Sequence, residues 1–324
     1  MAAAQTLLAD EVTARIGPAL REAEIDSVLL RGPSLSRHLY SPCESRDYTD
    51  VDLLVPPEST SAAGRVLESL GFVAIGEELP GDRPAWARVY LRNDDGGNVD
   101  LHRTLVGAEA GPETVWAALR AHAVPIEVGG RTLCGLDAEA AALVVTLHAA
   151  QHGAGASKQL DDLSRALERL TYAQWQGARD LAGRVEATTA FAAGLRLVTA
   201  GVSLAERLEL PDESSTEVLL RAGGSPPLAL GFAWLSQTEG LAPKLRLIAG
   251  KIFPGPNAVR AWAPFARRGS LHLVAAYAWR PIWLLRHVVP GYRAWASAQR
   301  LSRGSAESGQ ASRFPPRPNT TKGS

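Results

Sequence analysis

The fold of this chain is decided by Ser27-Val-Leu-Leu-Arg-Gly-Pro-Ser34, followed after a short gap by Asp50-Val-Asp-Leu-Leu-Val55. The first run is an apolar strand that ends at a glycine, and the second is an apolar strand that carries two aspartates. Because residues i and i+2 of a strand point to the same face, Asp50 and Asp52 project together. Two carboxylates held that close repel each other unless a cation lies between them. Hard divalent ions such as Mg²⁺ prefer oxygen ligands and usually arrive with phosphate groups.

A third carboxylate follows on another strand. Two strand-like runs flank Asn93-Asp-Asp-Gly-Gly97, whose composition is typical of a hairpin turn. Asp100 lies in the second run between two apolar residues, as in a half-buried strand. The pattern predicts a two-metal cluster of Asp50, Asp52 and Asp100, with Asp100 also a candidate general base. The alternative for each aspartate is a solvent-facing strand acid, and His102 is either a support of the cluster or a surface histidine.

The turn between the first strand and the following helix is a candidate phosphate site. Backbone N–H groups at such a turn can bind phosphate, and the hydroxyl of Ser34 can add a contact beside Gly32. Pro33 has no N–H to donate, so the alternative that this turn only begins a helix stays open. Arg31 and Arg46 could each bind phosphate or pair with the aspartates, and Arg46 is favoured for the site.

Two histidines share one face of a predicted helix. His148 and His152 are four residues apart, a spacing that can hold a transition metal. No glutamate follows His148 and no third ligand is near in sequence, so the pattern is not the zinc-protease motif. The alternative is a structural helix end at Gly153.

Composition limits the functional class. The chain has 324 residues, with 34 basic and 34 acidic residues and a formal net charge of zero. A neutral chain is not typical of a general nucleic-acid-binding protein. The two cysteines form neither a disulfide framework nor a zinc motif, and the N-terminus does not resemble a secretory signal. These features favour a reduced, cytoplasmic setting.

The pattern along the chain changes from α/β to helical. We predict an α/β domain over residues 1–135 with a small mixed sheet, an all-helical domain over 136–301 and a disordered tail over 302–324. A first helix over 5–24 should be kinked or split at Gly17-Pro18. Strands are predicted at 27–31, 50–55, 72–75, 86–92 and 98–103, with a small hairpin at 124–133. Helices are predicted at 34–40, 61–70, 112–122, 137–148, 158–170, 173–182, 187–208, 213–222, 227–237, 240–250 and 270–300.

The last predicted helix is rich in tryptophan. Its apolar run is interrupted by Pro281 and by arginines, so it is not predicted to span a membrane. Packing against the catalytic half or against a second subunit is favoured, and peripheral contact with a membrane surface stays open as an alternative.

The ordered set of these motifs resembles the nucleotidyltransferase superfamily with a DNA polymerase β-like catalytic core. More narrowly, the chain resembles a bacterial family of uncharacterised nucleotidyltransferase-like proteins over most of residues 25–300. The matching blocks are Leu29–Leu35, Leu39-Tyr40, Arg46, Asp50–Val55 and Val99–His102. The Gly-Pro turn at 32–33 departs from the Gly-Ser or Gly-Gly that the superfamily prefers. The resemblance also includes the histidine pair followed by Leu160-Asp161-Asp162, which implies that His148, His152 and Lys158 line a cleft and contact nucleotide or acceptor.

The resemblance implies an enzyme that moves a nucleoside monophosphate from a nucleoside triphosphate, such as ATP, to a hydroxyl and releases pyrophosphate. Asp50, Asp52 and Asp100 would hold two Mg²⁺ ions in a cleft between the two halves. The acceptor would be a small molecule, a peptide or a protein. The alternative is a non-catalytic nucleotide-binding or scaffold protein that keeps the fold. Nucleotide affinity with and without Mg²⁺, measured beside pyrophosphate release, separates the two.

Overall fold

The computed structural model describes residues 2–41, 44, 46–75, 86–92, 94–212 and 215–312. Cys43, the predicted loop over 76–85 and residues 313–324 of the predicted tail lie outside the described residues. Asn93 of the predicted hairpin turn also lies outside them.

A five-stranded mixed sheet forms the N-terminal half, as predicted. The strands are β1 (Val28–Leu29), β2 (Val51–Leu54), β3 (Val73–Ile75), β4 (Ala87–Leu91), β5 (Asn98–His102), β6 (Ala123–Val128) and β7 (Arg131–Leu136). The order in the large sheet is β1-β2-β5-β4-β3, and only the central pair β2 and β5 is parallel within it. Strands β6 and β7 form a separate antiparallel hairpin. The parallel central pair places both aspartate-bearing strands side by side in the same direction.

The described residues contain fourteen α-helices. They are α1 (Ala2–Glu22), α2 (Pro33–Leu39), α3 (Thr60–Ser69), α4 (Pro112–Ala121), α5 (Ala138–His152), α6 (Ser157–Arg169), α7 (Tyr172–Arg184), α8 (Thr188–Leu195), α9 (Thr199–Arg207), α10 (Thr216–Ala222), α11 (Ala229–Gln237), α12 (Leu241–Ile252), α13 (Pro256–Trp262) and α14 (Ser270–Ser312).

Apart from shifts of a few residues at helix ends, three features of the helices differ from the sequence prediction. The predicted helix over 187–208 is divided into α8 and α9 by a short turn after Leu195. Helix α13 was not predicted, because its seven residues follow a Pro-Gly-Pro stretch that indicates a loop. Helix α14 continues through Pro281 and on to Ser312, so residues 302–312 of the predicted tail are helical. Proline fixes a φ angle that a helix accepts, and its cost is a lost hydrogen bond and a kink.

Helix α5 is buried on every side. Ten of its fifteen residues are buried, including the run Ala140–Leu147. It begins at the predicted N-cap, where a carboxylate oxygen of Asp137 accepts a hydrogen bond of 3.0 Å from Ala140 N. A helix without a polar face is stable only inside a protein. Its neighbours in the main apolar core include residues of the sheet, such as Val28 and Leu54, and residues of the helical half, such as Phe191.

Helix α14 packs mainly against helices of the C-terminal half. It contacts α10, α11 and the 3-10 turn Pro264–Arg268. The ring of Trp283 lies 5.4 Å from that of Trp262, and Trp295 lies 6.1 Å from Phe232. The tryptophans Trp283 and Trp295 of α14 thus contact the neighbouring helices α13 and α11. The sequence predicts packing of this helix against the catalytic half or against a second subunit. Among the described residues, no helix is both long enough and apolar enough to cross a bilayer.

Candidate active site

The register of the central strand pair brings two predicted aspartates together. Asp52 of β2 lies directly opposite Asp100 of β5. His102, two residues further along β5, shares the face of Asp100 because side chains alternate along a strand. One potential ligand atom from each of Asp52, Asp100 and His102 lies within 4.8 Å of the other two. The parallel pairing therefore builds a compact group of two carboxylates and one imidazole.

Asp52 is buried and fully engaged by two basic side chains. Its Oδ2 accepts a hydrogen bond of 2.6 Å from Arg31 Nε, and its Oδ1 accepts a second one from Arg31 Nη2. His102 Nε2 lies 3.0 Å from the same Oδ1. Burial alone would raise the pKa of Asp52, but the attraction of Arg31 and His102 outweighs it and holds that pKa well below its ordinary value. Asp52 is therefore a permanent anion with its own internal counter-charge.

The carboxylate of Asp100, unlike that of Asp52, has no positively charged partner in direct contact among the described residues. Its carboxylate makes no hydrogen bond or ion pair with any residue in the described part of the chain. Burial, together with repulsion from the neighbouring Asp52 carboxylate, raises the pKa of Asp100 to about 6. Its negative charge is thus incompletely neutralised by the protein, which is the condition that a bound cation would relieve.

Asp50 stands slightly apart from this group. It precedes β2 and is half-buried, and no close ligand atom joins it to the compact group of Asp52, Asp100 and His102. Its charge nevertheless contributes to the raised pKa of Asp100, so the two carboxylates face the same space. The structure therefore gathers all three predicted aspartates, with His102 in the inner group and Asp50 at its edge.

A cavity of 280 Å³ opens onto these carboxylates. Its walls come from the sheet on one side and from the end of α5 and the start of α6 on the other, as the predicted cleft between the two halves requires. The lining residues are Arg31, Arg46, Thr49, Asp50, Asp52, Trp86, Asp100, His148, Gln151, His152, Lys158 and Gln159. A larger cavity of 690 Å³ adjoins it and shares Arg46 and Lys158. A third cavity of 550 Å³, lined by Arg179 and Glu209, lies away from the carboxylates.

The histidine pair lines this cavity. The rings of His148 and His152 meet edge to face with their centres 4.7 Å apart. Burial, followed by repulsion from the Arg31 cation, lowers the pKa of His148 well below its ordinary value, and burial also lowers that of His152. The buried Nδ1 of His148 has no hydrogen-bond partner among the residues that the structure describes. Two neutral imidazoles with an unsatisfied nitrogen are suited to hydrogen bonding with a ligand.

The two predicted cations at the cavity differ in their partners. The guanidinium of Arg46 is held by buried Asp162 of α6, with 2.7 Å between Nη2 and Oδ2. Tyr40 OH donates to the other carboxylate oxygen of Asp162 over 2.8 Å. Lys158 is exposed at the start of α6 and makes no ion pair with a described residue. Arg46 thus fixes the cavity wall while Lys158 can move towards a ligand.

The Gly-Pro-Ser turn lies beside the cavity rather than in it. Gly32 adopts a φ of 57°, a conformation that favours glycine, and directs the chain into α2. Ser34 is fully buried, and its Oγ accepts a hydrogen bond of 2.8 Å from Leu136 N in the neighbouring hairpin. Neither residue lines the cavity. The structure therefore gives the hydroxyl of Ser34 a supporting position, in place of the phosphate contact that the sequence predicted.

Several lining residues were missed from the sequence. Trp86, Gln151 and Thr49 carried no motif that could single them out. Asp162 was noted only as part of a resemblance, and its pairing with Arg46 joins residues 116 positions apart. The sequence leaves the role of His102 open, and the structure places its Nε2 against Asp52.

The chain matches several solved structures at low sequence identity. The solution structure of the antibiotic-resistance factor ANT(2'')-Ia is 18% identical, with 58% of this chain and 96% of that chain covered and a TM-score of 0.41. The lincomycin-bound lincosamide antibiotic adenylyltransferase LnuA is 15% identical, with 47% and 91% covered and a TM-score of 0.33. An antigenic nucleotidyltransferase-like protein from Paracoccidioides brasiliensis is 15% identical, with 55% and 92% covered and a TM-score of 0.35.

No curated protein matches the sequence. A family model described as "uncharacterised nucleotidyltransferase" matches residues 1–201, which include the sheet, the carboxylates, the histidine pair and α6. The resemblance drawn from the sequence motifs is thereby confirmed, and the chain belongs to the family of uncharacterised nucleotidyltransferases.

Proposed function

We propose that this protein is an Mg²⁺-dependent enzyme that transfers a nucleoside monophosphate from a nucleoside triphosphate to a hydroxyl group of a small molecule, peptide or protein. The observation that carries the proposal is the group of three carboxylates facing one cavity, with Arg31, Lys158 and two neutral histidines on its walls. Anionic phosphates and a divalent cation together match this distribution of charge.

The donor set fits a hard divalent cation. Asp100 offers a carboxylate that no described residue neutralises, and Asp52 and Asp50 lie beside it. His102 already meets Asp52 through Nε2, so it is better placed to orient that carboxylate than to bind Mg²⁺ itself. Asp50, Asp52 and Asp100 would therefore hold the metal. When bound, Mg²⁺ would neutralise the phosphate oxygens and the charge that develops during transfer.

The protein groups divide the remaining tasks between them. Lys158 supplies positive charge for the triphosphate, Arg31 balances the buried charge of Asp52, and Arg46 keeps α6 against the sheet through Asp162. In the transfer, the acceptor oxygen forms a bond to the α-phosphorus, while the bond to the bridging oxygen of the β-phosphate breaks and pyrophosphate leaves. The hydroxyl proton passes to a carboxylate, for which Asp100 is the candidate because it has no competing hydrogen bond from a described residue.

The test is metal-dependent nucleotide binding measured by calorimetry. ATP, GTP, CTP and UTP are titrated with Mg²⁺ and with EDTA against the wild type, Asp50→Asn and Asp100→Asn. These variants are preferable to changes at Asp52, since removing Asp52 would leave the buried Arg31 cation unpaired. Asp94→Asn, an exposed turn residue outside the cavity, is the matched control. We expect one nucleotide to bind in the presence of Mg²⁺ and both site variants to weaken it at least tenfold.

Absence of metal-dependent binding by all four nucleotides would contradict the proposal. The alternative, a nucleotide-binding protein without turnover, has one observation in its favour, because Arg31 occupies both oxygens of Asp52. It predicts nucleotide binding that is not followed by pyrophosphate release with any acceptor.

A further inference from the structure

The C-terminal helices combine exposed apolar side chains with an unbalanced positive charge. From Gly240 to Ala306 the sequence contains eleven lysines and arginines and no aspartate or glutamate, although the whole chain is neutral. Of eighteen exposed large apolar side chains among the described residues, fourteen lie between Leu241 and Leu301. A charge asymmetry of this kind indicates a partner of opposite sign.

The exposed apolar residues of α14 form one continuous stripe, which we call the α14 stripe. It consists of Leu271, Val274, Ala278, Ile282, Leu285, Val289 and Tyr292, all exposed. At helical periodicity these positions fall within an arc of about 80°, and at about 1.5 Å per residue the stripe is about 30 Å long. Leu271 is 83% exposed and Leu285 is 73% exposed, which is unusual for leucine.

Arginines border this stripe. Arg286, Arg293 and Arg300 recur every seven residues along one flank, and all three are exposed. A second exposed apolar row lies on α12, formed by Leu241, Leu245 and Ile248. The end of α12 is joined to α14, because Arg280 donates hydrogen bonds of 3.0 and 2.8 Å to Lys251 O. The two helices thus present apolar rows and cations on one connected part of the protein.

We infer that the α14 stripe and its flanking arginines dock the protein on an anionic lipid bilayer surface. A helix whose apolar face enters the boundary between headgroups and acyl chains, with basic residues beside it, lies in the plane of the membrane. Each arginine near the surface adds attraction to anionic headgroups. The exposed indole of Trp279, next to the stripe, fits the interfacial region that tryptophan prefers.

Other occupants match the surface less well. A second copy docked face to face would bring two acid-free, positively charged regions together and would be repelled. A nucleic acid would satisfy the arginines but would leave a mainly aliphatic stripe without a partner, since single strands bind through stacking on aromatic rings. This inference does not rest on the proposed function, because no residue of the α14 stripe lines the cavity at the carboxylates.

The experiment is flotation of the full chain with vesicles of phosphatidylcholine alone and of phosphatidylcholine mixed with phosphatidylglycerol. We expect binding to the anionic vesicles that weakens with added salt, accompanied by a blue shift of tryptophan emission, and no binding to the neutral ones. Leu285→Glu/Val289→Glu should weaken binding at least about tenfold, and so should Arg286→Glu/Arg293→Glu.

Matched double variants control for apolarity, charge and folding. Leu7→Glu/Val202→Glu alters two exposed apolar residues elsewhere, and Arg65→Glu/Arg131→Glu makes the same change of net charge elsewhere. Both controls should bind within about twofold of the wild type, and circular dichroism and thermal melting check that every variant folds.

Three results would overturn the inference. The first is absence of binding to anionic vesicles, and the second is an equal loss of binding in the controls. The third is a different occupant of the α14 stripe. In that case the wild type would not bind vesicles, but it would self-associate or bind an oligonucleotide, and the α14 variants would abolish that binding.

Discussion

Replacing Asp100 with asparagine tests the electrostatics of the carboxylate group directly. Without metal, burial and the charge of Asp52 raise the pKa of Asp100 from 3.8 to about 6. The folded state therefore holds this proton more tightly than the unfolded state, so stability is lost as pH rises from about 4 to about 6. At about 1.4 kcal/mol per pKa unit the shift corresponds to about 3 kcal/mol. Screening by the open cavity reduces this to about 2 kcal/mol.

The assay is urea unfolding in EDTA across this pH range. At pH 7 the Asp100→Asn variant should be more stable than the wild type by about 2 kcal/mol, because asparagine carries no charge next to Asp52. The difference should shrink as pH falls towards 4, where the wild-type carboxyl is protonated in the folded state. The exposed turn variant Asp94→Asn should stay within about 0.5 kcal/mol of the wild type at every pH.

Two results would refute this reasoning. One is an Asp100→Asn variant that is no more stable than the wild type at pH 7, and the other is a gain that does not depend on pH. Addition of Mg²⁺ and the bound nucleotide supplies an internal check. At a hundred times the wild-type dissociation constant, ligand stabilises the wild type by about 2.7 kcal/mol, and a variant that binds tenfold more weakly should lose about half of this gain.

Three substitutions test the supports of the cavity. Asp162→Asn leaves the buried guanidinium of Arg46 without a counter-charge, so the free energy of unfolding measured in urea should fall by about 3 kcal/mol. A fall of less than about 1 kcal/mol would mean that water replaces the carboxylate. Ser34→Ala removes the acceptor for the buried N–H of Leu136 and should lower the free energy of unfolding by about 1–3 kcal/mol. Nucleotide affinity measured by calorimetry should not change. Unchanged stability with weaker nucleotide binding would instead place the hydroxyl at the phosphates. In Gly194→Ala the added Cβ would lie closer than van der Waals contact to the backbone carbonyl oxygen of Thr146 in α5. The thermal melting point should therefore fall by several degrees. An unchanged melting point would mean that α8 shifts freely.

The faces on which Asp52 and Asp100 lie could be predicted because they depend on local periodicity. Alternation along a strand places Asp52 and Asp100 on defined faces, and the hairpin before β5 indicates that these runs are strands. The same logic held for the N-cap at Asp137, where a short polar side chain precedes an apolar helical run.

What could not be predicted depends on contacts between distant parts of the chain. No spacing rule predicts that Arg46 pairs with Asp162, or that the hydroxyl of Ser34 accepts a hydrogen bond from Leu136 N in the hairpin. The ends of some helices could not be predicted for a similar reason. Pro281 indicates a break in isolation, yet α14 continues through it, with Arg280 bonded to Lys251 O of α12 and Trp283 packed on Trp262 of α13.

The burial of α5 on all sides has a consequence for how the molecule is made. Residues 1–135 leave the ribosome first, but Val28, Leu35 and Leu54 belong to an apolar core that also includes residues of α5, which is synthesised later. A chain cut at residue 135 would expose these side chains to water, so the predicted domain boundary is a poor place to divide the protein. The helix that completes the core also carries His148 and His152 to the carboxylates. The core and the cavity therefore both depend on α5.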